Sequence, residues 1–232
     1  MTNKKFLTLI CARSGSKGIK DKNIQKFGKF NLLEQTILQG KKITANSTYV
    51  STDSKKYRLI ALKKGAKVPF LRPKKLSKDK TPEWDVWLDF VKKLKIKQGY
   101  NIIVLPTTSP LRNLKDIKSG IKLFNKGLYD VVVALTESSR NPYYNMLEKN
   151  KKSYKLPKSQ KKNFFRRQDA PQVYDVTTFF YIFNTNFLKQ KKNLFDGKIG
   201  AIMIPKARSI DIDTKLDLLF ARYLKKLPIS RI

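Results

Sequence analysis

Short apolar runs alternate along this chain with segments whose apolar residues recur at helical spacing, and that alternation restricts the fold to a sheet covered by helices on both faces. The runs are Phe6–Ala12, Thr48–Ser51, Val68–Leu71, Asn101–Leu105, Asp130–Leu135, Phe179–Phe183 and Gly200–Ile204. They predict an α/β protein with three layers and a doubly wound, mostly parallel sheet. Two intervening helices carry start signals. Trp87, Phe90, Val91 and Leu94 share one helical face behind Thr81, a candidate N-cap, and Pro82, placed for the first helical position. Asn113 with Asp116 has the spacing of a capping box ahead of the stripe Leu114, Ile117, Ile121 and Phe124.

At 232 residues the chain has the length of a single domain with room for a substantial core. Residues from about 138 to 175 break the pattern. They are polar and basic, interrupted by Pro142, Pro157 and Pro171, and read as an insertion of functional kind. No apolar run reaches membrane-spanning length, and MTNKK passes straight into a strand without signal-peptide flanks, so a cytoplasmic protein with no membrane partner is expected. Cys11 is the one cysteine and excludes an intrachain disulfide; a buried strand position suits it. With no histidine, a His general base, a Ser-His-Asp triad and a His-rich zinc site are all excluded. The formal charge of +34 would ordinarily point to nucleic acid. The lysines are spread over every predicted element, however, and form no basic tail, so nonspecific, salt-sensitive nucleic-acid binding is all they predict.

The first strand opens into ICARSGSKGIKDKN, Cys11 to Asn23. Gly15, Gly18, Ser14 and Ser16 let backbone N–H groups approach an anion, while Arg13, Lys17, Lys20 and Lys22 neutralise it. The loop is neither a Walker loop nor GxGxxG, and on its own it is equally a flexible basic loop. Near the C-terminus, SIDIDT places Asp211 and Asp213 on the same side of an extended segment. Paired like charges favour a cation between them, and Mg²⁺, a hard ion that shares its shell with phosphate oxygens and water, fits. The plainer alternative is a junction where Asp213 or Thr214 caps the helix from Lys215. Asp53 could likewise cap a helix over Ser54 to Lys64.

Read in order, ARSGSKG, VSTDS, VPFLRP, TSPLR (Thr108 to Arg112), RQDAPQVY (Arg167 to Tyr174) and SIDIDT resemble the acylneuraminate cytidylyltransferase family over nearly the whole chain. The resemblance implies a nucleotide-diphospho-sugar transferase fold in one domain, 1–232, whose insertion serves homodimerisation and reaches the partner's sugar site. It implies transfer of CMP from CTP to a nine-carbon keto-acid sugar with release of pyrophosphate. Carried across motif by motif, Arg13, Ser16, Lys17, Lys22, Asn23, Arg72 and Ser109 are nucleotide-binding, with Arg13, Lys22 and Asp211 in catalysis. Arg167, Gln168, Gln172, Tyr174 and Thr177 face the sugar, and Asp211 and Asp213 hold Mg²⁺. Two departures stand out. Pro106-Thr107 replaces the family's Gln-Pro, and Thr177-Thr178-Phe179 replaces its Asn-Gly-Ala. Arg140 to Tyr144 and Tyr174 to Val176 resemble legionaminate-type CMP-synthetases. Two alternatives remain at this stage: a relative acting on Kdo or another nucleotide-sugar pair, and an inactive scaffold that binds nucleic acid.

Overall fold

The computed structural model describes residues 5–158, 164 and 166–228. Six strands form the central sheet: β1 (Phe6–Cys11), β2 (Thr48–Ser51), β3 (Asn101–Val104), β4 (Val131–Glu137), β5 (Tyr174–Asn184) and β6 (Ile199–Met203). Their order is β6-β4-β5-β3-β1-β2. β1 pairs in parallel with β2 and β3, and β6 with β4, whereas β5 runs antiparallel to both its neighbours. Topology explains the exception. The insertion leaves from the carboxyl end of β4 and returns at that same end, where Glu137 pairs with Tyr174, so β5 can only run back down.

The helices are α1 (Leu32–Thr44), α2 (Lys55–Lys63), α3 (Glu83–Lys93), α4 (Leu114–Asn125), α5 (Thr185–Gln190) and α6 (Lys215–Leu224). One sheet face packs Ile10, Ile103 and Phe180 against Leu33, Ile37, Tyr57 and Ile117 of α1, α2 and α4. The other packs Leu9, Ile102 and Phe183 against Trp84, Trp87 and Phe90 of α3 and Phe187 of α5. These are the three layers that the apolar pattern predicts. A smaller cluster, with Ile19, Phe27, Leu32, Ile212 and Leu218, fastens α6 to the loop after β1.

Several local expectations are corrected. Val68–Leu71 is not a strand: one parallel bridge, Tyr49 to Lys67, precedes Pro69, which has no N–H to continue a ladder. Pro82 occupies the N-cap of α3, while the Thr81 hydroxyl donates to the Lys75 carbonyl. Asn113 caps α4 by accepting from the Lys115 N–H, but Asp116 turns away to pair with Arg208 at 2.8 Å. Ser54, not Asp53, caps α2. Of the two capping candidates for α6, Thr214 is the cap, in a reciprocal box with Asp217, and the Asp213 side chain takes no part in it. In the insertion, a small exposed hairpin joins Glu148–Asn150 to Ser153–Lys155, and the Asn141 side-chain amide donates to the Pro171 carbonyl at 2.9 Å across the neck.

Arg112 of TSPLR is a buried hub. Its guanidinium donates to the carbonyls of Pro106 (2.6 Å) and Phe179 (2.9 Å), to the Thr36 hydroxyl and to Gln39. Desolvation by burial pulls its pKa down to about 9, against an upward pull from Asp211. Arg112→Met would strand the two carbonyls away from water. The expected cost is about 3 kcal/mol, read as a lower urea midpoint at unchanged m-value.

Candidate functional site

The carboxyl ends of β1 and β3 open into a cleft of about 570 Å³, lined among others by Arg13, Ser16, Lys17, Lys22, Asn23, Arg72 and Asp213. This is where an open α/β sheet holds its ligand. The basic loop has a defined shape. Asp53 accepts hydrogen bonds from the Ser14 N–H (2.9 Å) and hydroxyl (2.8 Å). Asp21, at φ 53°, accepts from the Tyr57 hydroxyl (3.0 Å) and Lys56 (3.1 Å). The buried Asn23 amide donates to the Arg13 carbonyl at 2.8 Å and accepts from Thr107. Gly18 lies against the backbone of Asp213, where a Cβ would come within 2.4 Å of the carbonyl oxygen, so this contact requires glycine. The loop and the SIDIDT segment are thereby locked together.

The cations are paired. Lys22 donates to Asp213 at 2.9 Å, and Asp79 bridges Arg13 and Lys17. Arg72 differs: it is 6% exposed, and its Nε and Nη2 lack hydrogen-bond partners. Glu83 lies nearby, open to the cleft yet ringed by protein. That desolvation raises its pKa, with Arg72 pulling it down and Asp211 pushing it up. Cys11, on the floor, has its thiol pushed up to about 12 by burial, which rules out a thiolate nucleophile at neutral pH.

Ile212 is fully buried and its N–H donates to the Thr108 carbonyl, with Asp211 and Asp213 on either side of it and the Asp213 charge acting on Asp211. Asp211 Oδ1 is buried without a hydrogen-bond partner. Burial raises the Asp211 pKa; Thr108, Thr178 and Lys22 pull it down, and Asp213 adds to the rise. An orphaned carboxylate oxygen beside a second carboxylate fits a divalent ion. Among the described residues no third acidic, cysteine or histidine side chain joins them, so phosphate and water would complete the shell.

Among the described residues, the sugar-side side chains Gln168, Gln172, Tyr174 and Thr177 do not line this cleft. Gln168 and Gln172 line a separate cleft of about 460 Å³ with Glu137, Arg140 and Asn141. Tyr174 is exposed, and the Arg167 side chain lies outside the described residues. Two placements correct the expectations. Thr177 is buried and donates to the Ala134 carbonyl at 2.9 Å, leaving no hydroxyl for a sugar. Ser109 is fully buried and shares a hydrogen bond with Thr178 at 2.8 Å, so it supports the cleft instead of lining it. The cause is a register shift between Val133 and Leu135, which leaves Ala134 alone opposite residues 177–180 and turns Thr178 toward Asp211. Thr108, Thr178, Asp79 and Glu83 were missed in the sequence; only TSPLR, with its neighbouring threonines, gave a signal for any of them.

Known proteins share this architecture. The structure of CMP:2-keto-3-deoxy-manno-octonic acid synthetase complexed with CTP superposes with a TM-score of 0.71 over 95% of this chain and 98% of that one, at 13% identity, a likeness of fold. The fold is that of the nucleotide-diphospho-sugar transferases. A family model described as Cytidylyltransferase matches residues 7–227, and the chain belongs to that family. It is 32% identical over 227 residues to Post-translational flagellin modification protein B of Campylobacter coli, covering 95% of each. It is also 32% identical to CMP-N,N'-diacetyllegionaminic acid synthase of Campylobacter jejuni, covering 94% of each.

The raised Asp211 pKa sets a pH-dependent stability. Unfolded, the carboxyl titrates near its ordinary 3.8; folded, it titrates higher, so the charged form costs stability above the folded value and nothing below the unfolded one. Without added divalent ions, Asp211→Asn should raise the thermal midpoint at neutral pH by about 2–4 °C. The gain should shrink as pH falls and vanish below the unfolded value, as thermal scans across pH would register.

Proposed function

We propose that this chain is a Mg²⁺-dependent CMP-sugar synthetase that joins CTP to a nonulosonic acid of the legionaminic type and releases pyrophosphate. The observation that carries the reading is the convergence of Arg13, Lys17, Lys22, Arg72 with its unpartnered Nε and Nη2, and Asp213 on one cleft at the strand ends. Family membership and likeness to a relative named for CMP-N,N'-diacetyllegionaminic acid synthesis support it.

Arg13, Lys17 and Lys22 neutralise the triphosphate. Arg72 offers N–H donors and Glu83 an acceptor, a pair that matches the carbonyl and exocyclic amine of cytosine. The sugar's anomeric hydroxyl attacks the α-phosphorus in line, forming the new O–P bond as the bond to the bridging oxygen of pyrophosphate breaks. Negative charge grows on the departing pyrophosphate, so fixed cations there stabilise the transition state more than the ground state. Asp211 and Asp213 would hold Mg²⁺, which when bound offsets charge on the phosphate oxygens. With no histidine in the chain, the hydroxyl proton passes to a carboxylate or to water.

The separation of the Gln168 and Gln172 cleft from the nucleotide cleft favours a homodimer in which each insertion serves the partner's site. No helix among the described residues is long and apolar enough to cross a membrane. The reading assigns the enzyme to the cytoplasm, where CTP is available, and makes nucleic-acid binding through the lysine-rich surface nonspecific and salt-sensitive.

The test is Mg²⁺-dependent pyrophosphate release from CTP with legionaminate, N-acetylneuraminate, pseudaminate and Kdo offered separately. Turnover is expected with legionaminate and is expected to disappear in Asp211→Ala. Arg13→Ala should lower kcat on the order of 10²–10³-fold. Silence with all four acids, despite CTP binding, would overturn the proposal.

A further inference from the structure

Residues 73–82 form a strap along one wall of the nucleotide cleft, with Lys78, Asp79 and Thr81 facing it. Both ends of the strap are fixed. The Arg72 N–H donates to the Thr52 carbonyl at 2.8 Å before it, and α3 starts at Glu83 after it. Its own turns are closed by the Ser77 hydroxyl on the Pro73 carbonyl and the Thr81 hydroxyl on the Lys75 carbonyl. From the tip, Asp79 reaches the basic loop, with Oδ1 paired to Arg13 Nη1 and Oδ2 to Lys17 Nζ at 2.8 Å. These two cations hold its carboxyl below the ordinary range, so it is an anion throughout the neutral range.

A carboxylate that spreads its two oxygens over two cations resembles two oxygens of a phosphate chain in charge and in hydrogen-bond acceptance. Arg13 Nη1 gives its other contact to the Gly15 carbonyl at 3.1 Å, which holds the guanidinium over the loop. We propose that Asp79 is a built-in counter-anion of the phosphate loop: it holds Arg13 and Lys17 in the nucleotide-free chain, is exchanged for the triphosphate on binding, and returns when pyrophosphate leaves. The proposal rests on the nucleotide reading of this cleft. The exchange follows from electrostatics, because a carboxylate kept on cations that have taken up phosphate oxygens would meet like charge at contact distance. Arg13 and Lys17 then never stand as bare neighbouring cations in a chain of net charge +34, and bound pyrophosphate faces an intramolecular competitor for the same donors. Asp79 thus weakens binding of the phosphate chain and speeds its release.

Calorimetric titration with inorganic tripolyphosphate, CTP and cytidine, at one fixed ionic strength, tests this on the wild type, Asp79→Asn and Asp79→Ser. A partly exposed ion pair sets the scale, so both variants should bind tripolyphosphate and CTP roughly two- to fivefold more tightly, with cytidine affinity unchanged. Asp89→Asn removes the same charge from α3, where Asp89 pairs with Lys93, and should leave all three affinities as they were. Equal or weaker tripolyphosphate binding in both Asp79 variants would overturn the proposal, because Asp79 would then orient the cations and not compete for them. Equal tightening in Asp89→Asn would also overturn it, by reducing the effect to net charge. If CTP bound to none of the proteins while tripolyphosphate tightened as expected, the nucleotide reading would fall and the counter-anion would stand.

Discussion

Two hydrogen bonds from Ser14 to Asp53 hold the cationic loop in place, and the cleft depends on them. The loop carries cations at Arg13, Lys17, Lys20 and Lys22, which repel one another, and little apolar side chain to offset that. Asp53 sits just past the end of β2, the strand paired with β1, so sheet register alone brings it beneath the loop's first turn. Asp21 closes the far side through Tyr57 and Lys56 of α2. Once the loop is fixed at both points, Gly18 can lie on the backbone of Asp213 and Asn23 can tie to Arg13. Sheet, loop and SIDIDT segment thus form one continuous support.

The opposite wall depends on β5. An insertion that begins and ends at the same end of β4 forces an antiparallel return, and the return carries the register shift at Ala134. That irregularity lets Thr177 satisfy the Ala134 carbonyl while Thr178 meets Ser109 and the Asp211 carboxyl. Arg112 spans the same region, joining the turn after β3 to β5 and α1. Asp211 therefore stands on hydrogen bonds from Thr108 and Thr178, the kind of support that keeps a site's geometry fixed when charge moves, while the more exposed Asp213 is held by Lys22.

How much of this the sequence disclosed follows from the range of the interactions involved. Strand and helix patterning is local, so the layers and six of the seven expected strands were legible; Val68–Leu71 was not a strand because Pro69 interrupts it. The loop cations and the Asp211–Asp213 pair were legible because side-chain type and two-residue spacing suffice to read them. Partnerships were not. Asp53 looked like a helix cap and is a loop clamp, because only the pairing of β1 with β2 shows what it faces. Asp116 looked like half of a capping box and pairs with Arg208, 92 residues away. Thr177 was chosen over Thr178 by motif position, and a three-residue slip in register reverses which hydroxyl is free to support the site.

Carboxylates are scarce here, 17 against 51 Lys+Arg, so where they are spent carries information. Asp21 and Asp53 shape the basic loop, Asp79 and Asp213 meet its cations, Glu83 faces Arg72, and Asp211 waits behind Asp213. Six of the 17 thus gather around a single cleft, in a chain whose remaining surface is dominated by lysine. Surface lysines such as Lys20 and Lys26 stay solvated and cost little there, since exposed cations are screened by water and salt. Within the cleft Arg13, Lys17 and Lys22 line one space, and each is paired with an anion, Asp79 or Asp213. The chain supplies that anion from its own small stock of carboxylates, and this placement, more than the net charge, separates a phosphate-binding site from a generally basic surface.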